Sequence, residues 1–258
     1  MKNTPHGRVI AISSESNRTF RELQSLITGR GVRRYGRTLV SGSKVIRELI
    51  QQKPEIILGI VTFPDGPMPS MELPSAIDRY SLSRSLFRDL DVNGTRYPLL
   101  IVRVPEFEEF REDNVNDNLI LFVPFQDPAN VGAVVRSAAA FGVESIVLLK
   151  EAANPYLPKS IRAAGTPLFS VRFFSGPSIE NVGGYTRPVV ALAAEGEILR
   201  DFQFPPRSIL LPGLEGRGLT PNLHPDHLVS VPMSPHVESL NAAVAVSIVL
   251  YEWRVMSG

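Results

Sequence analysis

Apolar positions in the second half of the chain gather into short unbroken runs at 119–125, 145–149, 188–193, 208–212 and 228–231. Helix-like or polar stretches separate them, the clearest being 131–141. Unbroken apolar strands alternating with helices predict a parallel sheet covered on both faces. Ligands of such sheets bind beyond the carboxyl ends of the strands. A last apolar stretch, 242–254 (Ala242, Ala243, Val244, Ala245, Val246, then Ile248, Val249 and Leu250), predicts a helix buried on most sides. In the first half, helix-like 19–27 and 44–52 alternate with strand-like 38–40, 56–61 and 99–104, a smaller α/β unit. The segment 105–118 between the halves is polar, acidic and rich in turn formers, the composition of a linker. The predicted organisation is a first domain over 1–104, a linker over 105–118 and a second domain over 119–258.

Composition removes several chemistries. With no cysteine in 258 residues, disulfides, thiolate zinc sites and cysteine nucleophiles are absent. His6, His224, His227 and His236 form no H-E-x-x-H pattern, and no metal is expected. No run approaches the roughly 18 apolar residues that span a bilayer, so no membrane partner is expected. The opening MKNTPHGRVIAISSESNR has no apolar h-region, which predicts no secretory signal and a cytoplasmic location. Its first acid is Glu15, so a mitochondrial leader stays open.

A net charge of +1 hides an asymmetry. Residues 1–53 carry eleven Lys and Arg against three Asp and Glu, whereas 113–258 carry ten against thirteen. The densest basic stretch holds Arg30, Arg33, Arg34, Tyr35 and Arg37. Arginine forms paired hydrogen bonds to phosphate and tyrosine stacks on unpaired bases, so this is a candidate nucleic-acid face. A solvated, soluble surface would look the same.

Polar clusters follow three of the predicted strands. The first, at 126–138, contains Asp127 and Asn130 as helix-capping candidates, Gly132, and Arg136 among Val134, Val135, Ala138 and Ala139. An arginine in that company needs a phosphate or carboxylate partner unless its stem carries the charge out to solvent. The second, at 212–219, sets Gly213, Gly216 and Gly218 around Glu215, neither a Walker A nor a G-x-G-x-x-G loop. The third, Glu238, Ser239 and Asn241, stands at the start of the apolar helix, as either an ordinary N-cap or a polar site against a core or partner subunit.

Taken together and in order, the clusters resemble the motifs of the SpoU/TrmH RNA 2′-O-ribose methyltransferases. Asn130-Val131-Gly132, Arg136, Ala138 and Phe141-Gly142 are similar to motif 1. Leu211, Gly213, Glu215-Gly216 and Gly218-Leu219 are similar to motif 2. Val231-Pro232-Met233 with Val237 and Ser239-Leu240-Asn241 are similar to motif 3. Pro158-Lys159, Arg162-Ala163 and Gly165 resemble a further stretch usual between motifs 1 and 2. The resemblance covers 118–256 strongly. Residues 12–104 look more faintly like the L30e-type substrate-binding domain of ribosomal-RNA members.

The resemblance implies a deep trefoil knot in the C-terminal domain, S-adenosylmethionine bent in that knot, and a homodimer with the last helix in its interface. It further implies that Arg136 is the catalytic arginine. A guanidinium pKa above about 12 makes orienting the substrate phosphate and hydroxyl its physically safer role. Asn130 would hold its loop and the substrate ribose, Glu215 an arginine or loop backbone, and Ser239 and Asn241 would hydrogen-bond across the site. Gly213, Leu214, Val231, Met233 and Leu240 would hold the cofactor. The implied substrate is RNA, with ribosomal RNA favoured over transfer RNA. A non-catalytic RNA-binding or ribosome-assembly protein retaining the fold is the competing class. Two positions depart from the family pattern, Pro235 where glycine is common and Leu214 where Asn, Ser or Ala is more usual; both bear on cofactor binding.

Overall fold

A computed structural model describes residues 9–216 and 218–257. The start of the predicted first domain, 1–8, and Arg217 of the second polar cluster lie outside the described residues. The chain divides into two units, Met1–Glu106 with Asn154–Thr166, and Phe107–Ala153 with Pro167–Gly258.

Along the first unit run β1 (Val9–Ile12), α1 (Arg18–Ser25), α2 (Gly29–Tyr35), β2 (Arg37–Val40), α3 (Ser43–Gln52), β3 (Ile57–Thr62), β4 (Asp78–Leu82), α4 (Arg84–Leu90) and β5 (Leu99–Arg103). Local chemistry sets the helix starts. The Asn17 side chain accepts from Thr19 N and Phe20 N at the head of α1, and Thr28 Oγ1 accepts from Gly31 N at the head of α2. The sheet order is β1-β4-β3-β5-β2, with β5 antiparallel to both neighbours and the other pairs parallel. Phe20, Leu23 and Leu26 pack with Leu39, Val61, Phe87 and Leu99 in its core.

The second unit contains β6 (Glu108–Glu109), β7 (Leu119–Val123), α5 (Pro128–Ala140) and β8 (Ser145–Leu148). The chain then contributes α6 (Pro158–Ala164) to the first unit before continuing with β9 (Arg172–Ser175), β10 (Val189–Ile198), β11 (Ser208–Leu211), β12 (His227–Ser230) and α7 (Ala242–Ser257). The sheet is parallel throughout, in the order β12-β10-β11-β7-β8-β9-β6. Ile120, Phe122, Val147, Ile209 and Leu211 form a core with Phe110 and Val115, while the alternate positions Leu121, Val123, Ile146 and Leu210 are buried as well. Both faces are therefore covered, which is why these strands read as unbroken apolar runs.

Two expectations change. The composition of 105–118 predicts a linker, yet Phe110 and Val115 are buried, Glu108–Glu109 forms a strand, and 107–118 belongs to the second unit. Glu112 anchors it by accepting from Thr186 N, Thr186 Oγ1 and Arg187 N, each at 2.8 Å. The segment Asn154–Thr166, which sequence order assigns to the second domain, is held by first-unit partners. Thr38 Oγ1 donates to Tyr156 O (2.5 Å), Asn93 Nδ2 to Pro158 O (3.1 Å) and Arg162 Nη1 to Asn93 O (2.6 Å).

Candidate active site

From β7 the chain runs outward through β8 to β9, then returns to β10, and β11 inserts between β10 and β7. The point where strand order reverses is where an open parallel sheet leaves a crevice at its carboxyl ends. A cleft of about 620 Å³ lies there, lined by residues that follow β7, β11 and β12, by the middle of β10 and by the start of α7.

Its loops are tied by one side-chain chain. Glu215, after β11, accepts from Gln126 N and Asp127 N, both at 3.1 Å, and from Asn130 Nδ2. Asn130 Oδ1 accepts from Asn241 Nδ2 at 2.9 Å. Asn241 Oδ1 in turn accepts from Ala243 N (3.0 Å) and Val244 N (3.2 Å), capping α7. Three post-strand segments are thus fixed relative to each other by hydrogen-bonded polar groups. Glu215 engages loop backbone rather than an arginine. One N–H of the Asn130 amide has no partner among the described residues, since the group carries two and donates one to Glu215.

Backbone geometry shapes the walls. A Cβ on Gly213 would meet Gly218 C at 2.6 Å, so only glycine lets the loop fold back, with Leu214 N donating to Gly218 O (2.8 Å) and Gly218 N to Leu214 O (3.0 Å). Leu214 packs on the core while lining the cleft, which gives its larger side chain a place. Opposite, β10 bulges: Leu192 and Glu197 both pair with Val229, and Ala193 and Ala194 turn toward the cleft. Gly196 permits this, because a Cβ there would lie 2.5 Å from Val229 N. Pro235 precedes His236 in the turn closed by Val237 N donating to Ser234 O (3.0 Å) and does not line the cleft. That turn favours proline at its second position and does not use its N–H.

Of the predicted site residues, Asn130, Glu215, Ser239, Asn241, Gly213, Leu214, Val231, Met233 and Leu240 all line the cleft. Ser239 is exposed and makes no hydrogen bond among the described residues. Arg136 does not line it and is exposed; its neighbours Val134, Val135 and Ala138 are buried on the other side of α5. Of the two alternatives for Arg136, a partnered charge or a stem that carries the charge out to solvent, the structure shows the second. Leu192, Ala193, Ala194, Asp127 and Glu238 also line the cleft. The carboxyl-end rule, applied to the end of the run 188–193, points to the first of these.

On the basic stretch, Arg30, Arg33 and Arg34 are exposed along α2. Arg37 is ion-paired with Glu22. Tyr35 packs against the core of the first unit, with the Arg34 and Arg37 guanidinium carbons 5.4 and 5.9 Å from its ring centre. Tyr35 and Arg37 are thus engaged within the unit rather than presented outward. Among the described residues no group of His, Asp or Glu is arranged to hold a metal ion, and no helix is long and apolar enough to cross a membrane.

Residues 117–251 match the model of the SpoU rRNA Methylase family. The chain is 42% identical over 244 residues to "Ribosomal RNA small subunit methyltransferase G 2" of Syntrophobacter fumaroxidans, covering 94% of this chain and 48% of that protein. The chain therefore spans about half the length of that relative. It is 28% identical to the Bacillus subtilis 23S rRNA (guanosine(2553)-2′-O)-methyltransferase RlmP, covering 94% of this chain and 98% of the other. Among solved structures, the SpoU methyltransferase AviRb from Streptomyces viridochromogenes, in complex with AdoMet, superposes with a TM-score of 0.74 at 26% identity, covering 93% and 97% of the two chains.

Proposed function

The chain belongs to the SpoU rRNA methylase family, and from that premise we propose that its cleft binds S-adenosylmethionine and directs the methyl group to a ribose 2′-hydroxyl of ribosomal RNA. The observation that carries this reading is the Glu215–Asn130–Asn241 chain, which holds three post-strand loops around one cleft. The cleft's size falls within the roughly 300–1,000 Å³ of ligand sites. Apolar walls at Leu192, Val229 and Val231 and the close-folded backbone at Gly213 suit a flat adenine and ribose. When bound, the donor supplies an electrophilic methyl on a sulfonium. The protein's part is then to align two groups and help a weakly acidic hydroxyl lose its proton. Asn130, oriented from both sides, presents one N–H to the sugar, and Ser239 offers a hydroxyl to the same cleft.

Arg136 lies outside the cleft of its own chain, and a second protomer is the way it could take part. On α7, Val244, Tyr251 and Val255 are 48%, 54% and 59% exposed and recur at helical spacing with Ile248 on one face. Phe141 at the end of α5 touches Tyr251, with ring centres 6.0 Å apart, so α5 borders that face. A homodimer through α7 covers the stripe and places Arg136 near the seam. The reading also carries a trefoil knot in the second domain and an L30e-like first unit that binds RNA through Arg30, Arg33 and Arg34.

The Bacillus relative favours 23S RNA, while the Syntrophobacter relative is named for small-subunit RNA. Methyl transfer to 23S, 16S and transfer RNA offered separately, with 2′-O-methyl mapping in cells with and without the gene, decides between them. Protein that binds RNA but neither binds nor uses the donor would instead support a non-catalytic assembly role.

A further inference from the structure

Resting on the methyl-donor reading, the charge of the cleft has a consequence of its own. Its described lining holds three carboxylates, Asp127, Glu215 and Glu238, and no Lys, Arg or His. The whole chain carries 27 basic and 26 acidic residues, so among the described residues this imbalance belongs to the cleft. Glu215 is committed to three N–H donors. Asp127 uses Oδ1 to cap α5 through Ala129 N (3.0 Å), leaving Oδ2. Glu238 is exposed and has no hydrogen-bond or ion-pair partner among the described residues. The fold does not require either of the last two charges. Asn or Ser would cap α5 as well as Asp, and an exposed unpaired carboxylate adds little to stability. The N-termini of α5 and α7 open on the same cleft and offset only about half a charge each.

We propose that Asp127 and Glu238 select the positively charged methyl donor over its uncharged thioether product, so that methyl transfer itself loosens the product. As the ribose oxygen bonds the methyl carbon, the C–S electron pair returns to sulfur and the hydroxyl proton leaves to solvent. The ligand in the cleft thereby loses one unit of positive charge while its adenosine and amino-acid parts are unchanged. Coulomb attraction at roughly 6 Å in water-like surroundings is worth about threefold in affinity per carboxylate.

Titration calorimetry on the full chain separates the possibilities, using S-adenosylmethionine, S-adenosylhomocysteine and sinefungin, whose charged amine replaces the methyl sulfonium. Both cationic ligands should bind about tenfold more tightly than the neutral one at low salt. Asp127→Asn, which keeps the cap, and Glu238→Gln should each reduce that ratio about threefold, and added salt should narrow it in the wild type. Variants that keep the wild-type ratio, or a wild-type ratio near one, overturn the proposal. Binding of none of the three ligands would instead remove the methyl-donor reading, and this selection with it.

Discussion

Asn130 is the residue on which the cleft turns, because one short amide spans two loops. Its Nδ2 reaches Glu215 and its Oδ1 takes Asn241 Nδ2, so its own orientation is fixed from both sides. Glu215→Ala strips three donors of their acceptor and should destabilise the second unit by about 2–3 kcal/mol, read by chemical denaturation; no loss would show that water replaces the carboxylate. Arg136 touches none of this network, so Arg136→Ala should leave donor affinity within about twofold, while the proposed role across a dimer seam predicts that it abolishes methyl transfer. Wild-type turnover would remove Arg136 from the chemistry. Glu112 carries a pH signature. Burial by itself raises its carboxyl pKa, but hydrogen bonds from Thr186 and Arg187 and the Arg187 charge outweigh that and set it below the usual carboxylate value. Its stabilisation is therefore full above about pH 5 and fades as pH falls through the lowered value. The stability gap between wild type and Glu112→Gln should be widest at neutral pH and close in acid. A gap that widens in acid would contradict the shift.

At the scale of elements, α2 carries three exposed arginines on one short helix. Replacing Arg33 and Arg34 by Ala should weaken RNA binding at every sequence and flatten the log–log salt dependence by up to about 2. An unchanged slope would take α2 off the RNA face. Elements buried on both faces were legible in the sequence: β7, β8 and β11 are buried at every position, and apart from the serines that open β8 and β11 every residue in them is apolar. Short strands of the first unit were harder to see: β1 is four apolar residues of which only Ile12 is buried, and β4 holds only two buried residues, Tyr80 and Leu82, among polar ones, too few to stand out from a loop. The acids of 105–118 masked Phe110 and Val115, two apolar residues that suffice to anchor the segment in a core. The exposure of Arg136 follows from helical spacing. Buried Val131, Val134, Val135 and Ala138 define one side of α5, and position 136 falls with exposed Ala129 and Ala140 on the other. The hydrogen bonds that join the motifs depend on rotamers and loop closure, which spacing along a chain does not encode.

For the molecule as a whole, the cleft belongs entirely to the second unit, whereas the exposed arginines of α2 belong to the first. The proposed methyl transfer and the proposed RNA contact therefore fall on different units, and a substitution in one should spare the other's binding step. The uncovered stripe on α7 sets the expected assembly. Tyr251→Glu or Val255→Glu, each placing a charge on that face, should convert a dimer to a monomer by sedimentation and lower methyl transfer without lowering donor affinity. A monomeric wild type would remove the interface. The most direct measurement incubates the protein with methyl-labelled S-adenosylmethionine and ribosomal RNA, then digests the RNA to nucleosides and locates the label. Label in a 2′-O-methylated ribose, lost in Asn130→Ala, is the predicted result; label on a base, or none while RNA and donor both bind, would contradict it.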